Sequence, residues 1–216
     1  MKLYVMNFRY IFLSLMAAIC VISCADNNKK ENNATTTEQS KNTENTAESV
    51  VLVQSFVDAR NSYNKEKLAA MTPKNYQESF DNKVVEVKSQ DDFLAQIGWA
   101  KVMDSKTTIE KVISKNDAAV VVIETNSNYI NTALELKPRK FKTKYYLKDG
   151  KIVRQSFGYP PNEKIDVKAN NVIYGNFERY CKVRNIPVSW EPTKEDGEIL
   201  RKALEAYANR EREPKQ

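Results

Sequence analysis

Apolar residues in the first half of the chain recur at the three- and four-residue spacing typical of helices. Residues 49–63 (SVVLVQSFVDARNSY) follow this pattern and predict an amphipathic helix packed on a larger body. A shorter helix is predicted over 64–71, and a Thr-Pro pair before 74–80 predicts a third. A short strand is expected over 84–88, and a Ser-x-x-Asp capping box predicts a helix over 91–103.

After Met103 the apolar period changes from 3.6 to two. Four strands are predicted, over 107–113, 118–129, 139–148 and 151–158. Tight turns are expected at Asn116-Asp117 and Asp149-Gly150, the second being a strong hairpin signal. Helices followed by an antiparallel meander predict an α+β fold, with helices covering one face of the sheet.

The last part of the chain, residues 159–216, has its own helical patterns after two prolines. One helix is predicted from about Lys168 to Arg184, and a capping box at Thr193 opens another. The second carries an apolar stripe consisting of Ile199, Leu200, Ala203, Leu204, Tyr207 and Ala208. We expect this stripe to dock within the chain. The alternative is a partner protein, and docking on the open face of the sheet would plug part of any pocket there.

The N-terminal segment has the character of an export signal. Lys2 and Arg9 precede an uncharged stretch, residues 10–23, of 14 residues. As a helix this stretch would measure ~21 Å, short of a bilayer core of ~30 Å, so a signal peptide fits better than a spanning helix. Residues 21–24 (VISC) resemble the bacterial lipobox, which implies that Cys24 carries lipid, including palmitate, and becomes the mature N-terminus.

This resemblance divides the chain into a signal peptide (1–23), the lipidated Cys24 with a flexible polar tether (24–48), and the folded part. Residues 25–48 contain no Ile, Leu, Val, Met or aromatic residue, so they cannot repay the entropy of ordering. The expected location is the bacterial cell envelope, anchored by lipid. Ala25, rather than an acid, favours the outer membrane by analogy with lipoprotein sorting.

Composition excludes several chemistries. Histidine is absent, and the net charge of +6 falls to +4 once Lys2 and Arg9 leave with the signal peptide, so nucleic acid is not an expected partner. Cys181 is the single cysteine of the folded part and is expected to be a buried structural thiol. We predict no metal site and no cofactor.

One stretch carries a resemblance to a known family. Residues 55–71 (SFVDARNSYNKEKLAAM) and the order of predicted elements over 49–158 resemble nuclear-transport-factor-2-like domains, which include ketosteroid isomerases and polyketide cyclases. The resemblance implies a curved antiparallel sheet wrapped around helices as a cone with a pocket at its open end. The helical extension, 159–216, lies outside the family pattern.

The catalytic residues of the family's isomerases are mostly not matched by residues of the same chemistry in this sequence. The position of its catalytic tyrosine falls on Phe56, which has no hydroxyl, and that of its protonated aspartate falls near Lys144. Glu86 alone is a candidate for the general base. A base without oxyanion donors accelerates little, so isomerase activity is not expected.

Two groups of residues are candidates for binding. Aromatic side chains could line the pocket or simply form core, and the candidates are Phe56, Phe93, Trp99, Tyr129, Tyr145 and Phe157. Lys140, Lys142 and Lys144 alternate with apolar residues and would share one face of a strand, as a solvated surface or as a patch for an anionic partner.

Two function classes follow from these features. The first is a membrane-anchored module that binds a small apolar or anionic ligand or an envelope protein partner. The alternative is a pocket enzyme that uses carboxylate and tyrosine groups, with Glu86, Tyr129 and Tyr145 as candidates, for proton transfer on a small apolar substrate. A carboxylate inside the cone within reach of a hydroxyl would favour the second.

Overall fold

The structure is a computed structural model that describes residues 37–81, 83–84, 87–163 and 165–210. The predicted signal peptide, the lipidation site Cys24 and the candidate base Glu86 lie outside these residues. The described elements, in chain order, are α1 (Thr37–Asn61), α2 (Lys65–Met71), β1 (Gln77–Phe80), β2 (Lys83–Val84), α3 (Gln90–Val102), β3 (Lys106–Asn116), β4 (Ala119–Ser127), α4 (Tyr129–Ala133), β5 (Arg139–Lys148), β6 (Lys151–Gly158), α5 (Val167–Val183) and α6 (Lys194–Ala208).

The strands form one curved, unclosed sheet in the order β2-β1-β6-β5-β4-β3. Strands β3 to β6 make the predicted antiparallel meander, and β1 joins it by pairing in parallel with β6. Register shifts between Ile109 and Lys111, and between Tyr146 and Leu147, are irregularities of the kind that bend a sheet. The α+β class is confirmed.

The first core lies between the sheet and helices α1 and α3. Alternate residues of the strands point inward, so Val120 and Val122 of β4 are fully buried together with Tyr145 of β5. Helix α1 contributes Phe56, whose ring lies 5.8 Å from that of Phe93 in α3. At its end, the side chain of Asn61 exchanges two hydrogen bonds of 2.8 Å with the backbone of Thr107, which ties α1 to β3.

The C-terminal helices form a second core outside the sheet. Leu200, Ala203 and Leu204 of α6 are fully buried against α3, α4 and α5, so the centre of the predicted stripe is covered within the chain, whereas Ile199 and Ala208 at its margin are exposed. Helices α3 and α6 approach closely at a glycine of α6: a Cβ on Gly197 would lie only 2.9 Å from Cδ1 of Trp99.

Arg201 of α6 fastens this contact. Its guanidinium donates to Asp104 Oδ2 at 2.6 Å and to the Val102 carbonyl at 3.1 Å, both at the end of α3. The same group lies 3.4 Å above the ring centre of Tyr129 in α4. Burial of the stripe and this three-way contact therefore hold α6 on the α3 side of the domain.

Local signals predicted several boundaries correctly. The Ser89 hydroxyl accepts from the Asp92 amide at 3.1 Å at the start of α3, and Thr193 does the same for α6. Asp149 and Gly150 both have positive φ, as a two-residue hairpin turn requires.

Three predictions differ from the structure. The helix predicted over 74–80 is wrong: Thr72 caps the end of α2 instead, and Gln77–Phe80 is strand β1, because its backbone pairs with β6. The strand predicted over 84–88 is limited to Lys83–Val84 among the described residues. The strand predicted to reach residue 129 ends at Ser127, because Asn128 caps α4.

The start of α1 also differs from the expected boundary. The helix begins at Thr37, inside the segment predicted to be a tether (24–48), whereas the first apolar residue of the packed part is Val50. Extending a helix that is already nucleated costs little per residue, so polar residues can continue it beyond the core. No helix among the described residues is both long enough and apolar enough to cross a membrane.

Candidate functional site

A cavity of about 200 Å³ opens where α1 ends, beside α3 and the paired ends of β3 and β4. Phe93, Ile97 and Ala100 of α3 form its apolar wall. Arg60 of α1 and Glu78 of β1 supply opposite charges to its lining. The cavity therefore joins the apolar core of the domain to a group of charged and polar side chains.

Arg60 lies at the junction between the cavity and the interior. Its Nη1 donates to Gln155 Oε1 at 2.9 Å and lies 3.7 Å from Glu78 Oε1. The guanidinium carbon is 5.5 Å from the ring centre of Phe93, a distance at which the aromatic ring attracts a cation. The side chain is 28% exposed. Arg60 is therefore held by buried partners while part of its side chain stays accessible.

The charge of Arg60 is secured by its surroundings. Burial lowers the pKa of the guanidinium, but Glu78, two tyrosines and Glu124 oppose burial and raise the pKa above its ordinary value. Glu78 in turn accepts a hydrogen bond of 2.9 Å from the hydroxyl of Tyr76. This buried phenol also lies 3.3 Å from Gln155 Oε1, so Arg60, Glu78, Tyr76 and Gln155 form one connected network.

A second carboxylate lies deeper in the interior. Glu124 of β4 is 1% exposed and accepts a hydrogen bond of 2.6 Å from the hydroxyl of Tyr145. Burial raises the pKa of Glu124, and the hydrogen bond from Tyr145 and the charge of Arg60 oppose that rise only in part. Two carboxylates inside the sheet thus lie within hydrogen-bond distance of a tyrosine hydroxyl.

Both tyrosines act as hydrogen-bond donors. Burial, followed by the charge of the adjacent carboxylate, raises the pKa of Tyr76 and of Tyr145 well above the ordinary value for a phenol. Their hydroxyls therefore keep their protons at any physiological pH and stabilise the carboxylates that they contact.

Three residues that line the cavity carry buried polar atoms with no hydrogen-bond partner among the described residues. They are Trp99 Nε1, Ser105 Oγ and Asn126 Oδ1. A buried polar atom without a partner costs about 1–3 kcal/mol, and native proteins carry few of them. Trp99 Nε1 is bonded to the ring atom that lies against Gly197 of α6, so Ser105 and Asn126 are the two of these residues that offer polar atoms to a molecule inside the cavity.

The six aromatic candidates do not share one cavity. Phe93 and Trp99 line the cavity beside Arg60, whereas Phe56 and Tyr145 are fully buried in the core. Tyr129 lies under Arg201 and lines a separate surface hollow. Phe157 packs in a cluster with Phe80, Phe141 and Tyr159, whose rings contact one another at 5.4–5.7 Å between centres.

The three candidate lysines of β5 lie on the opposite face of that strand from Thr143 and Tyr145, as their period of two predicts. Lys140 donates to Glu110 at 2.7 Å, and the Nζ of Lys144 lies 4.4 Å from the ring centre of Tyr146. Lys142 is exposed. Two of the three thus interact with neighbours on the outer face of the sheet, away from the cavity.

Two described positions that the family resemblance compares with isomerase residues do not line the cavity. Phe56 is buried in the core, and Lys144 lies on the outer face. Cys181 is buried in the second core, and no cluster of His, Cys, Asp or Glu suited to a metal occurs among the described residues.

Sequence reasoning missed Arg60, Tyr76, Glu78, Glu124 and Gln155. One signal was available: Glu124 continues the inward-facing alternation of Val120 and Val122, so a carboxylate occupies a core position of β4. The others could not be found in this way, because long-range pairings bring together α1, β1 and β6, which are distant in sequence.

No protein-family model matches the sequence, and no curated protein is significantly similar to it. Solved structures with a similar fold include a nuclear-transport-factor-2-like protein of unknown function from Cytophaga hutchinsonii, 16% identical, covering 51% of this chain and 88% of that chain with a TM-score of 0.40. A candidate ketosteroid isomerase from Kribbella flavida is 14% identical, covering 56% and 84% with a TM-score of 0.43. A candidate polyketide cyclase from Sinorhizobium meliloti is 14% identical, covering 49% and 92% with a TM-score of 0.41.

Proposed function

We propose that this protein is a lipid-anchored lipoprotein of the bacterial envelope whose α+β domain binds a small molecule in the cavity beside Arg60. The anchor part of the proposal rests on the sequence alone: a short export signal, a lipobox ending at Cys24, and polar residues after it. By the same sequence argument, the protein is held at the outer membrane. The binding part rests on the cavity.

The observation that carries the binding proposal is the pair of unpartnered atoms, Ser105 Oγ and Asn126 Oδ1, on residues that line one cavity. Such atoms are not expected in a purely structural core, because each one lowers the unfolding free energy unless a hydrogen-bond partner satisfies it. Apolar walls with a few polar groups are also the usual composition of small-molecule sites. At about 200 Å³ the cavity is smaller than sites for drug-sized ligands, which fits a compact molecule.

Native mass spectrometry of the full-length protein, extracted from its own membranes, tests this function. We expect a noncovalent adduct of a small molecule on the wild-type protein and none on an Ala100→Phe variant, because a phenyl group at this lining position would fill the cavity. The same adduct on both proteins, or bare protein in both, would contradict the proposal. An Ile199→Phe variant on the exposed side of α6 controls for adding an aromatic group elsewhere.

A second candidate function, proton transfer on a small substrate, is favoured by Glu78. It is the one carboxylate among the described residues that line the cavity, and the phenol of Tyr76 holds it in place. Turnover of the retained molecule by the wild type, with loss of turnover but not of binding in Glu78→Gln, would establish an enzyme. Equal recovery of unchanged ligand from both proteins would mean that the protein binds the molecule without turning it over.

A further inference from the structure

The cavity has a polarity that defines the class of molecule it would hold. Its charged lining groups among the described residues are Arg60, Lys106 and Glu78, two cations against one carboxylate. Glu78 is already stabilised by Tyr76 and Arg60. The Nζ of Lys106 donates to the backbone carbonyl of Asn61 at 2.6 Å and lies over the ring of Tyr63. Arg60 therefore remains as the cation available to a ligand.

The guanidinium of Arg60 has N–H donors that make no hydrogen bond to a described residue. It carries five N–H groups, and the hydrogen bond it makes to a described residue goes from Nη1 to Gln155. Its contact with the ring of Phe93 uses no N–H. A planar, fixed fork of donors is the geometry that binds a carboxylate through two hydrogen bonds.

An acceptor is also present among the lining residues. Asn126 Oδ1 is buried and has no hydrogen-bond partner among the described residues, and a carbonyl oxygen can only accept. A ligand that satisfies this atom must donate, as a hydroxyl or an amine does. Ser105 Oγ can serve either role.

We infer that the cavity recognises a small monocarboxylate with an apolar body and a hydrogen-bond donor, its carboxylate on Arg60 and its donor on Asn126. Phe93, Ile97 and Ala100 supply the surface for the body. This inference rests on the proposed binding function and adds the chemical class of the ligand. Glu78 keeps the net charge of the lining at +1, which matches one carboxylate rather than two.

The test uses three probes that differ by one group each, titrated calorimetrically into the full-length protein in detergent. They are 4-hydroxybenzoate, its neutral analogue 4-hydroxybenzamide, and benzoate, which lacks the hydroxyl. We expect 4-hydroxybenzoate to bind about ten- to a hundredfold more tightly than the amide, the range for a hydrogen bond to a charged group. Benzoate should bind about two- to tenfold more weakly than 4-hydroxybenzoate, the range for a neutral hydrogen bond.

Two variants locate the effect. Arg60→Gln should remove the preference for carboxylate over amide, whereas Lys142→Gln, which deletes an exposed lysine on the outer face of the sheet, should leave it unchanged. Because the probe comparison is made on the wild-type protein, it holds even if Arg60→Gln fails to fold.

Each contrary outcome has a separate meaning. Binding of the amide as tightly as the carboxylate would overturn the ligand class, and so would failure of all three probes to bind at millimolar concentration. A preference that survives Arg60→Gln would overturn the role of that residue. A retained neutral molecule in native mass spectrometry would leave the proposed binding function standing while this inference fails.

Discussion

Replacing Tyr145 by Phe removes one oxygen atom from the core and leaves its shape almost unchanged. That oxygen donates a 2.6 Å hydrogen bond to Glu124, and both residues are at most 1% exposed. Loss of a hydrogen bond to a buried charged group costs about 1.5–3 kcal/mol of unfolding free energy. For a protein of this size that corresponds to a fall in Tm of about 3–12 °C.

The cost should depend on pH with a defined sign. Burial raises the pKa of Glu124 in the folded state, so its carboxylate is protonated at low pH and charged at high pH. The hydrogen bond from Tyr145 therefore changes from a neutral one, worth about 0.5–1.5 kcal/mol, to a charge-assisted one as pH rises. We expect Tyr145→Phe to cost more at pH 8 than at pH 4.

Urea unfolding of wild type and variant at both pH values measures this difference. Tyr146→Phe is the matched control, because Tyr146 is the next residue and its ring lies on the outer face, against Lys144 and Arg154. The control should stay within about 0.5 kcal/mol of the wild type. A Tyr145→Phe cost below that value at pH 8, or one that is larger at pH 4, would refute the assignment of a buried carboxylate and its phenol donor.

Three further predictions follow from other parts of the chain. The pKa of Glu124 in the folded state lies above its ordinary value of 4.5, so the wild type should lose unfolding free energy as pH rises from 4.5 through the raised pKa. Glu124→Gln should therefore gain stability relative to the wild type over the same range. Parallel curves of unfolding free energy for the two proteins from pH 4 to 8 would contradict this. Gly197→Ala should be about 1–3 kcal/mol less stable than Gly175→Ala in urea unfolding, since the first methyl meets Trp99 at 2.9 Å and the second meets nothing within 4 Å; equal stability would exclude the close helix contact. Cys24→Ser should move the protein from the membrane fraction to the soluble one, and unchanged retention would exclude lipidation there.

Local chemistry made much of the fold predictable. Strands β5 and β6 were predicted with the bounds found, because two alternating patterns flank Asp149-Gly150, whose turn geometry joins only strands in this register. The cap of α3 was readable for a similar reason, since Ser89 and Asp92 interact within four residues.

Non-local contacts explain what the sequence did not predict. Residues 77–80 carry no strand pattern of their own and become β1 only because β6 offers a parallel neighbour 77 residues away, as Gln77 pairs with Arg154. The site depends on the same kind of contact: Arg60, Glu78 and Gln155 meet only after α1, β1 and β6 are assembled. By contrast, Phe93 and Trp99 were predictable pocket candidates because aromatic residues on α3 must face either core or cavity.

A crystal structure of the protein purified with its retained molecule would test the binding cavity most directly. We predict difference density inside the cavity, with oxygen atoms within about 3.2 Å of the Arg60 guanidinium and a donor at similar distance from Asn126 Oδ1. Ordered water alone on these two groups, or the molecule bound elsewhere on the protein, would contradict the account.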